Sequence, residues 1–146
     1  MDFNNLRYLR SPRNIFLFIK VFFSLLILNV LFSTLKLPSL LKIIDQKRKR
    51  SFNNMTIENA ALFSNFILYR IFRTKRPCTL RSLLLFKYLR SMGKDTKIVF
   101  GVKDEGGELK GHAWLINEQR PFLENSDQPE EYEIIYEYPP SGNTGH

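Results

Sequence analysis

The hydrophobic pattern changes its period near Gly93, and this change constrains the fold more than any other feature of the sequence. Before Gly93, apolar residues recur at helical spacing over 56–73, with Thr56 as the predicted N-cap, and over 78–92. After Gly93 the pattern predicts four strands separated by turn residues: 96–102, 109–116, 121–125 and 131–138. Helices followed by an antiparallel meander predict an α+β domain in which N-terminal helices pack on a small antiparallel sheet.

The chain of 146 residues is long enough for one hydrophobic core and short for two. We expect a basic, apolar helical region over 1–50, a core over 51–140 and a frayed tail over 141–146. A single cysteine excludes a disulfide framework and favours a reducing, cytoplasmic compartment. Because the chain has only two histidines, one of them its last residue, we expect neither a structural zinc nor another cofactor.

Positive charge is concentrated in the first half of the chain. Residues 1–76 carry 14 Lys and Arg against 3 Asp and Glu, whereas residues 77–146 carry 8 against 11, and the two differences sum to +8. We do not expect nucleic-acid binding, because no recognised nucleic-acid module accompanies this charge. The basic half is also the apolar half, which favours contact with a membrane surface or a partner protein through residues 15–50.

Residues 15–41 are dominated by Phe, Leu, Ile and Val, and Pro38 is expected to end the main apolar run. A signal peptide, a membrane-spanning helix and a helix that packs on the core or on a partner are three alternatives. The uncharged stretch from Val21 to Leu35 is only 15 residues long, which is short for a span of about 20. A helix that packs on the core or on a partner is therefore the favoured interpretation, and we expect the protein to be cytoplasmic. Membrane association is the main alternative. The basic run 45–50 is a solvated linker or a contact for an anionic surface.

The only cysteine, Cys78, lies at the predicted start of the second helix. Unpaired backbone N–H groups and the helix dipole favour the thiolate there, and the thiolate is the nucleophilic form. Arg81, one turn further on, would lower the pKa of the thiol or hold a carboxylate. The same N–H groups would form part of an oxyanion hole. The alternative is that Cys78 is a small, inert core residue.

The internal histidine, His112, falls in the middle of a predicted strand. Because side chains alternate along a strand, His112, Trp114 and Ile116 share one face. To act as a general base, His112 would have to lie next to Cys78. The alternative is that His112 is a core histidine whose hydrogen bonds are satisfied. Glu124, after the next turn, is the candidate that would orient the imidazole. Other polar groups compete for that role: Glu118, Asn125 and Asp127.

Three segments together resemble a known family. Cys78-Thr79-Leu80-Arg81-Ser82-Leu83, Ile98-Val99-Phe100-Gly101-Val102 and Gly111-His112-Ala113-Trp114-Leu115 are similar to the transglutaminase-like cysteine peptidases of lasso-peptide biosynthesis, in particular the separately encoded C-terminal half of a B protein. The resemblance covers about residues 55–138. It implies a papain-like core with a Cys–His–Asp triad.

Carried over by position, the resemblance makes Cys78 the nucleophile and His112 the base, with Glu124 at the place of the family's Asp. Arg81 and Trp114 would be supporting residues. The implied activity is removal of the leader from a ribosomally made precursor peptide. The implied partners are that precursor, a small leader-recognition protein and an asparagine-synthetase-like cyclase. The alternative is a catalytically inactive scaffold of the same fold that binds the precursor or the cyclase.

Overall fold

The helices come first along the chain. The computed structural model describes residues 9–46, 54–123 and 129–140, and its helical elements are α1 (Pro12–Thr34), α2 (Leu37–Ile44), α3 (Asn54–Phe66), a π-helix (Ile67–Phe72) and α4 (Pro77–Ser91). The run 15–41 is thus two helices, and Pro38 does not end the first but lies in the first turn of the second, where its missing N–H costs nothing. Thr56 is not an N-cap, because α3 begins two residues earlier.

Four strands follow and form one sheet: β1 (Thr96–Glu105), β2 (Glu108–Asn117), β3 (Arg120–Phe122) and β4 (Glu133–Tyr138). Their order is β3-β2-β1-β4, and every neighbouring pair is antiparallel. The predicted meander is therefore wrong in one connection, because β4 pairs with β1 and not with β3. Strand β1 runs further than predicted, since Gly106 and Gly107 take up positive φ angles of 69° and 89° and make a two-residue turn.

Helix α4 occupies the centre of the hydrophobic core. Nine of its 15 residues are buried, and it packs against α1, α3 and the π-helix as well as β1 and β2. Side chains from α1 and α2 join the same core, including Val21, Leu25 and Leu40, each with no exposed surface. The α+β prediction with helices packed on a small antiparallel sheet is confirmed. The predicted boundary at residue 50 between the N-terminal region and the core domain stays a prediction, although residues on both sides of it contribute to the core.

A buried ion pair joins the segment after α2 to the end of α4. The guanidinium of Arg90 donates two hydrogen bonds to the Asp45 carboxylate, at 2.7 and 3.0 Å. The side chains are only 5% and 13% exposed, so neither charge is well hydrated. The Arg90 guanidinium also lies over the ring of Phe86, at 5.9 Å from its centroid. Each ion thus depends on the other for the solvation that water does not supply.

We expect Asp45→Ala to lower the free energy of unfolding by about 3 kcal/mol, because it leaves the buried Arg90 charge with only the solvent-exposed carboxylate of Asp95 nearby. Chemical denaturation followed by circular dichroism measures this loss. Asp95→Ala is the matched control: Asp95 also lies near Arg90, at 3.6 Å, but is 96% exposed, so its removal should leave stability nearly unchanged. Equal effects of the two substitutions would contradict a structural role for the buried pair.

Candidate active site

Cys78 is the second residue of α4, directly after Pro77. Proline suits the first helical position, because its fixed φ matches the helix and its missing N–H would have had no partner. The N–H groups of the first turn have no carbonyl partner within the helix, and they carry the positive end of its dipole. The sequence thus places a half-buried thiol where a negative charge is stabilised.

The start of α4 contacts β2 outside the stretch of the strand that is described as paired with β3. Strand β3 pairs only with Leu115–Asn117 of β2, and Ala113 lies just outside that stretch. The Ser82 hydroxyl donates a hydrogen bond to the carbonyl of Ala113, at 2.9 Å. The backbone of Ala113 also forms a hydrogen bond with the Cys78 thiol. These contacts fix the first turn of α4 on the strand that carries His112.

The side chains of Cys78 and His112 form a hydrogen bond with each other. Burial raises the pKa of the Cys78 thiol. The hydrogen bond from His112, the backbone hydrogen bond from Ala113 and the positive charge of His112 outweigh this, so the pKa lies below its ordinary value. A hydrogen bond with Thr79 acts in the same direction. The structure therefore brings the predicted nucleophile and the predicted base together, and the base favours the reactive form of the thiol.

His112 belongs to an aromatic cluster on one face of the sheet, which we define as His112, Trp114 and Tyr132. The imidazole and the Trp114 ring are nearly parallel, 17° apart, with their centroids at 5.8 Å. Tyr132 lies at 5.2 Å from the imidazole and 6.0 Å from the Trp114 ring. Trp114 is 2% exposed and does not join the main core, unlike Ala113 and Leu115 on the opposite face. Two rings thus restrict the orientation of the imidazole.

Gly101 allows this cluster to close. It pairs with His112 across β1 and β2, and the β1–β4 register shifts between Phe100 and Gly101. A Cβ atom at position 101 would lie 2.8 and 2.9 Å from two atoms of the Trp114 ring and 2.9 Å from Cβ of Tyr132. Tyr132 was missed in the sequence analysis. The sequence signal for this cluster was a glycine inside a strand pattern, because such a glycine marks a place where another group approaches the backbone closely.

Arg81 contacts the backbone after β3, and its predicted role in holding a carboxylate stays a prediction. The groups that lower the thiol pKa are His112, Ala113 and Thr79, whereas an Nη of Arg81 donates to the carbonyl of Leu123, at 2.8 Å. Leu123 has a positive φ of 55° and follows β3 directly. The Nε of Arg81 is buried and has no hydrogen-bond partner among the described residues. Arg81 thus ties the chain after β3 to the helix that carries Cys78.

The third member of the site stays a prediction. Glu124, Asn125 and Asp127 lie outside the described residues. Glu118 lies in the turn between β2 and β3, six residues along from His112, or roughly 20 Å of strand, and cannot orient the imidazole. Within 9–46, 54–123 and 129–140 there is no group of three or more His, Cys, Asp or Glu side chains that could hold a metal ion.

Comparison with known proteins gives one result. The family model described as the Transglutaminase-like superfamily matches residues 45–137. The match contains α3, α4 and nearly all of the sheet, together with both Cys78 and His112. No curated protein and no solved structure matches the chain. The family is therefore established for most of the chain, and no relative specifies a substrate.

We expect the alkylation rate of Cys78 to rise at a lower pH than that of an ordinary thiol, because His112 stabilises the thiolate. In His112→Ala the effect of burial remains while the largest lowering interaction is lost, so the rise should move to higher pH and the rate at pH 7 should fall several-fold. Iodoacetamide labelling across a pH series measures this without ambiguity, since the chain has one cysteine. The denatured chain supplies the reference profile of an ordinary thiol. If the wild type, His112→Ala and the denatured chain gave the same profile, the interaction between His112 and Cys78 would be refuted.

We expect Gly101→Ala to displace the Trp114 and Tyr132 rings, to destabilise the fold by about 1–3 kcal/mol and to slow Cys78 alkylation at pH 7. Gly111→Ala is the matched control, because it lies next to His112 on β2 and a Cβ there meets nothing within 4 Å. Thermal unfolding and labelling kinetics of both variants are the measurements. A folded Gly101→Ala variant that labels like Gly111→Ala would show that the cluster does not orient His112.

Proposed function

The chain belongs to the transglutaminase-like superfamily, and on that basis we propose that it is a cysteine peptidase with Cys78 as nucleophile and His112 as general base. One observation carries the proposal: the hydrogen bond between the two side chains at the N-terminus of α4, with the pKa of the thiol lowered. A thiol that served only to fill the core would have no need of an imidazole partner.

The proposed reaction has two steps. The Cys78 thiolate attacks the carbonyl carbon of the scissile peptide bond, a C–S bond forms, and the C–N bond breaks as the imidazolium of His112 gives its proton to the leaving amine. Water then attacks the thioester while His112 accepts its proton, and the thiolate leaves. Backbone N–H groups in the first turn of α4 are placed to stabilise the oxyanion in both steps.

The neighbouring residues have positioning roles in this proposal. Trp114 and Tyr132 hold the plane of the imidazole, so that one ring nitrogen faces the sulfur. Arg81 holds the backbone at Leu123, the last described residue before Glu124. We propose Glu124 as the carboxylate that accepts from the other ring nitrogen, with Asp127 as the alternative. The Glu124 side chain is longer than that of the family's Asp, and it would still reach the imidazole.

The substrate class follows from the resemblance to the B proteins of lasso-peptide biosynthesis. We propose that the substrate is a ribosomally made precursor peptide and that the product is a core peptide with a free N-terminal amine. A small leader-recognition protein would present the precursor, and an asparagine-synthetase-like cyclase would use the freed amine. Short sequence similarity in the three motif segments supports this narrower proposal, whereas the superfamily membership supports the peptidase chemistry.

The test is cleavage of a lasso-type precursor peptide encoded in the same gene neighbourhood, with and without the leader-recognition protein, followed by mass spectrometry. We expect one cut between leader and core. Cys78→Ala should abolish it, and His112→Ala should lower the rate by about 10²–10⁴-fold, the usual contribution of a general base. Comparing Glu124→Ala with Asp127→Ala identifies the third residue by which substitution gives the larger loss.

Two results would overturn the proposal in different ways. Cleavage by Cys78→Ala at the wild-type rate would exclude this nucleophile. No cleavage by the wild type in any combination, together with retained binding of the precursor or the cyclase, would show the non-catalytic scaffold of the same fold. The alkylation profile of Cys78 separates a damaged preparation from a true scaffold, because only a correctly folded site lowers the thiol pKa.

A further inference from the structure

Helix α1 is apolar on two opposite faces, and only one of them is covered. The covered face contributes Val21, Leu25 and Leu28, which are at most 2% exposed, to the core with α3 and α4. The other face carries seven large apolar side chains, each between 42% and 70% exposed. We define this second surface as the α1 apolar face: Ile15, Phe16, Ile19, Phe23, Leu26, Ile27 and Val30.

The α1 apolar face is continuous. At about 100° per residue its seven members fall within an arc of roughly 120°, and no polar residue interrupts that arc between Ile15 and Val30. The surface extends sideways, because Phe66 of α3 is 41% exposed and its ring lies 6.3 Å from that of Phe18 in α1. Monomeric proteins in water rarely leave so large an apolar surface uncovered.

Positive charge surrounds this surface at both ends. Arg10 and Arg13 precede the α1 apolar face and Lys36 and Lys42 follow it, all four exposed. The one acidic residue described in 9–46, Asp45, is already paired with Arg90. The end of the π-helix adds four further exposed basic residues: Arg70, Arg73, Lys75 and Arg76. Whatever covers the α1 apolar face must therefore be apolar where it meets the helix and negatively charged around that contact.

A second copy of the chain does not meet this requirement. In a symmetric pair of α1 helices, a parallel arrangement places Arg10 and Arg13 against their own copies, and an antiparallel arrangement places them near Lys36. Like charges would meet in either case, next to the apolar contact. An anionic bilayer offers an apolar interior below a negative surface, which matches both halves of the requirement.

We propose that the α1 apolar face lies in the surface of an anionic lipid bilayer, with α1 parallel to the membrane. Helix α1, with 23 residues, is long and apolar enough to cross a membrane, as core helices of soluble proteins and signal sequences near an N-terminus also are. A span would require α1 to leave the core and expose Val21, Leu25 and Leu28 together with their partners on α3 and α4. The peripheral orientation keeps that packing intact and covers only the free face.

The experiment is flotation of the full chain, diluted from mild detergent, with vesicles of phosphatidylcholine alone or with phosphatidylglycerol. We expect binding that is stronger on the anionic vesicles and weakens as salt is raised. Phe23→Glu with Ile27→Glu should reduce the partition coefficient by about 100-fold, through lost apolar burial and like-charge repulsion. Arg10→Gln with Arg13→Gln should reduce it by about five-fold per charge, and only on anionic vesicles.

Matched controls come from apolar side chains that are exposed on the sheet. Leu109 and Ile135 are 73% and 61% exposed, so Leu109→Glu with Ile135→Glu removes comparable apolar surface without touching α1. This variant should bind like the wild type. Cys78→Ala should bind like the wild type as well, which keeps this test independent of the peptidase proposal. Circular dichroism of each variant confirms that its fold is unchanged.

Four outcomes would overturn the proposal. Wild-type protein that does not float with anionic vesicles has no such surface. Equal loss of vesicle binding in the α1 and sheet variants would show that the binding is non-specific. Resistance of bound protein to alkaline carbonate extraction would show that α1 spans the bilayer. An α1 surface that instead binds a purified leader-recognition protein or cyclase, with no affinity for vesicles, would assign the face to a protein partner.

Discussion

The contact between the first two turns of α4 and the backbone of β2 at Ala113 is the constraint on which the site depends. Ser82 donates to the carbonyl of Ala113, and the backbone of the same residue also contacts Cys78. Among the described residues β3 pairs with β2 only over Leu115–Asn117, and the Ala113 backbone bonds instead to the helix that carries Cys78.

The same contact explains why α4 is both the centre of the core and the carrier of the site. Its buried residues face helices on one side and the sheet on the other, so its position is fixed from several directions. Precise placement of a thiol and an imidazole needs such rigid support, since a small displacement would lengthen their hydrogen bond. The buried pair of Arg90 and Asp45 fixes the far end of the helix in the same way.

Local sequence signals predicted where Cys78 and His112 lie, at a helix start and within a strand, because these positions depend on local structure. Pro77 followed by Cys78 indicates a helix start, and the alternation around His112 indicates a strand. Tyr132 could not be found in this way, since its position depends on β4 pairing with β1 and on the register shift beside Gly101. Gly101 signals that another group approaches the backbone of β1, but pairing between strands distant in sequence leaves no local signal of which residue that is. For residues 15–41, the favoured packing helix agrees with the burial of Val21, Leu25 and Leu28 in the core, but periodicity could not show what covers the opposite face of α1.

Burial and the charge of the thiolate oppose each other at Cys78, and the balance decides what this site can do. Burial is the largest single influence on the pKa of the thiol and acts against the thiolate. Contacts with His112, Ala113 and Thr79 outweigh burial, and two of these three residues, His112 and Ala113, lie in β2. Loosening of β2 from α4 would therefore remove two of the contacts that lower the pKa. The stability of the α4–β2 contact and the reactivity of the thiol thus depend on the same interactions.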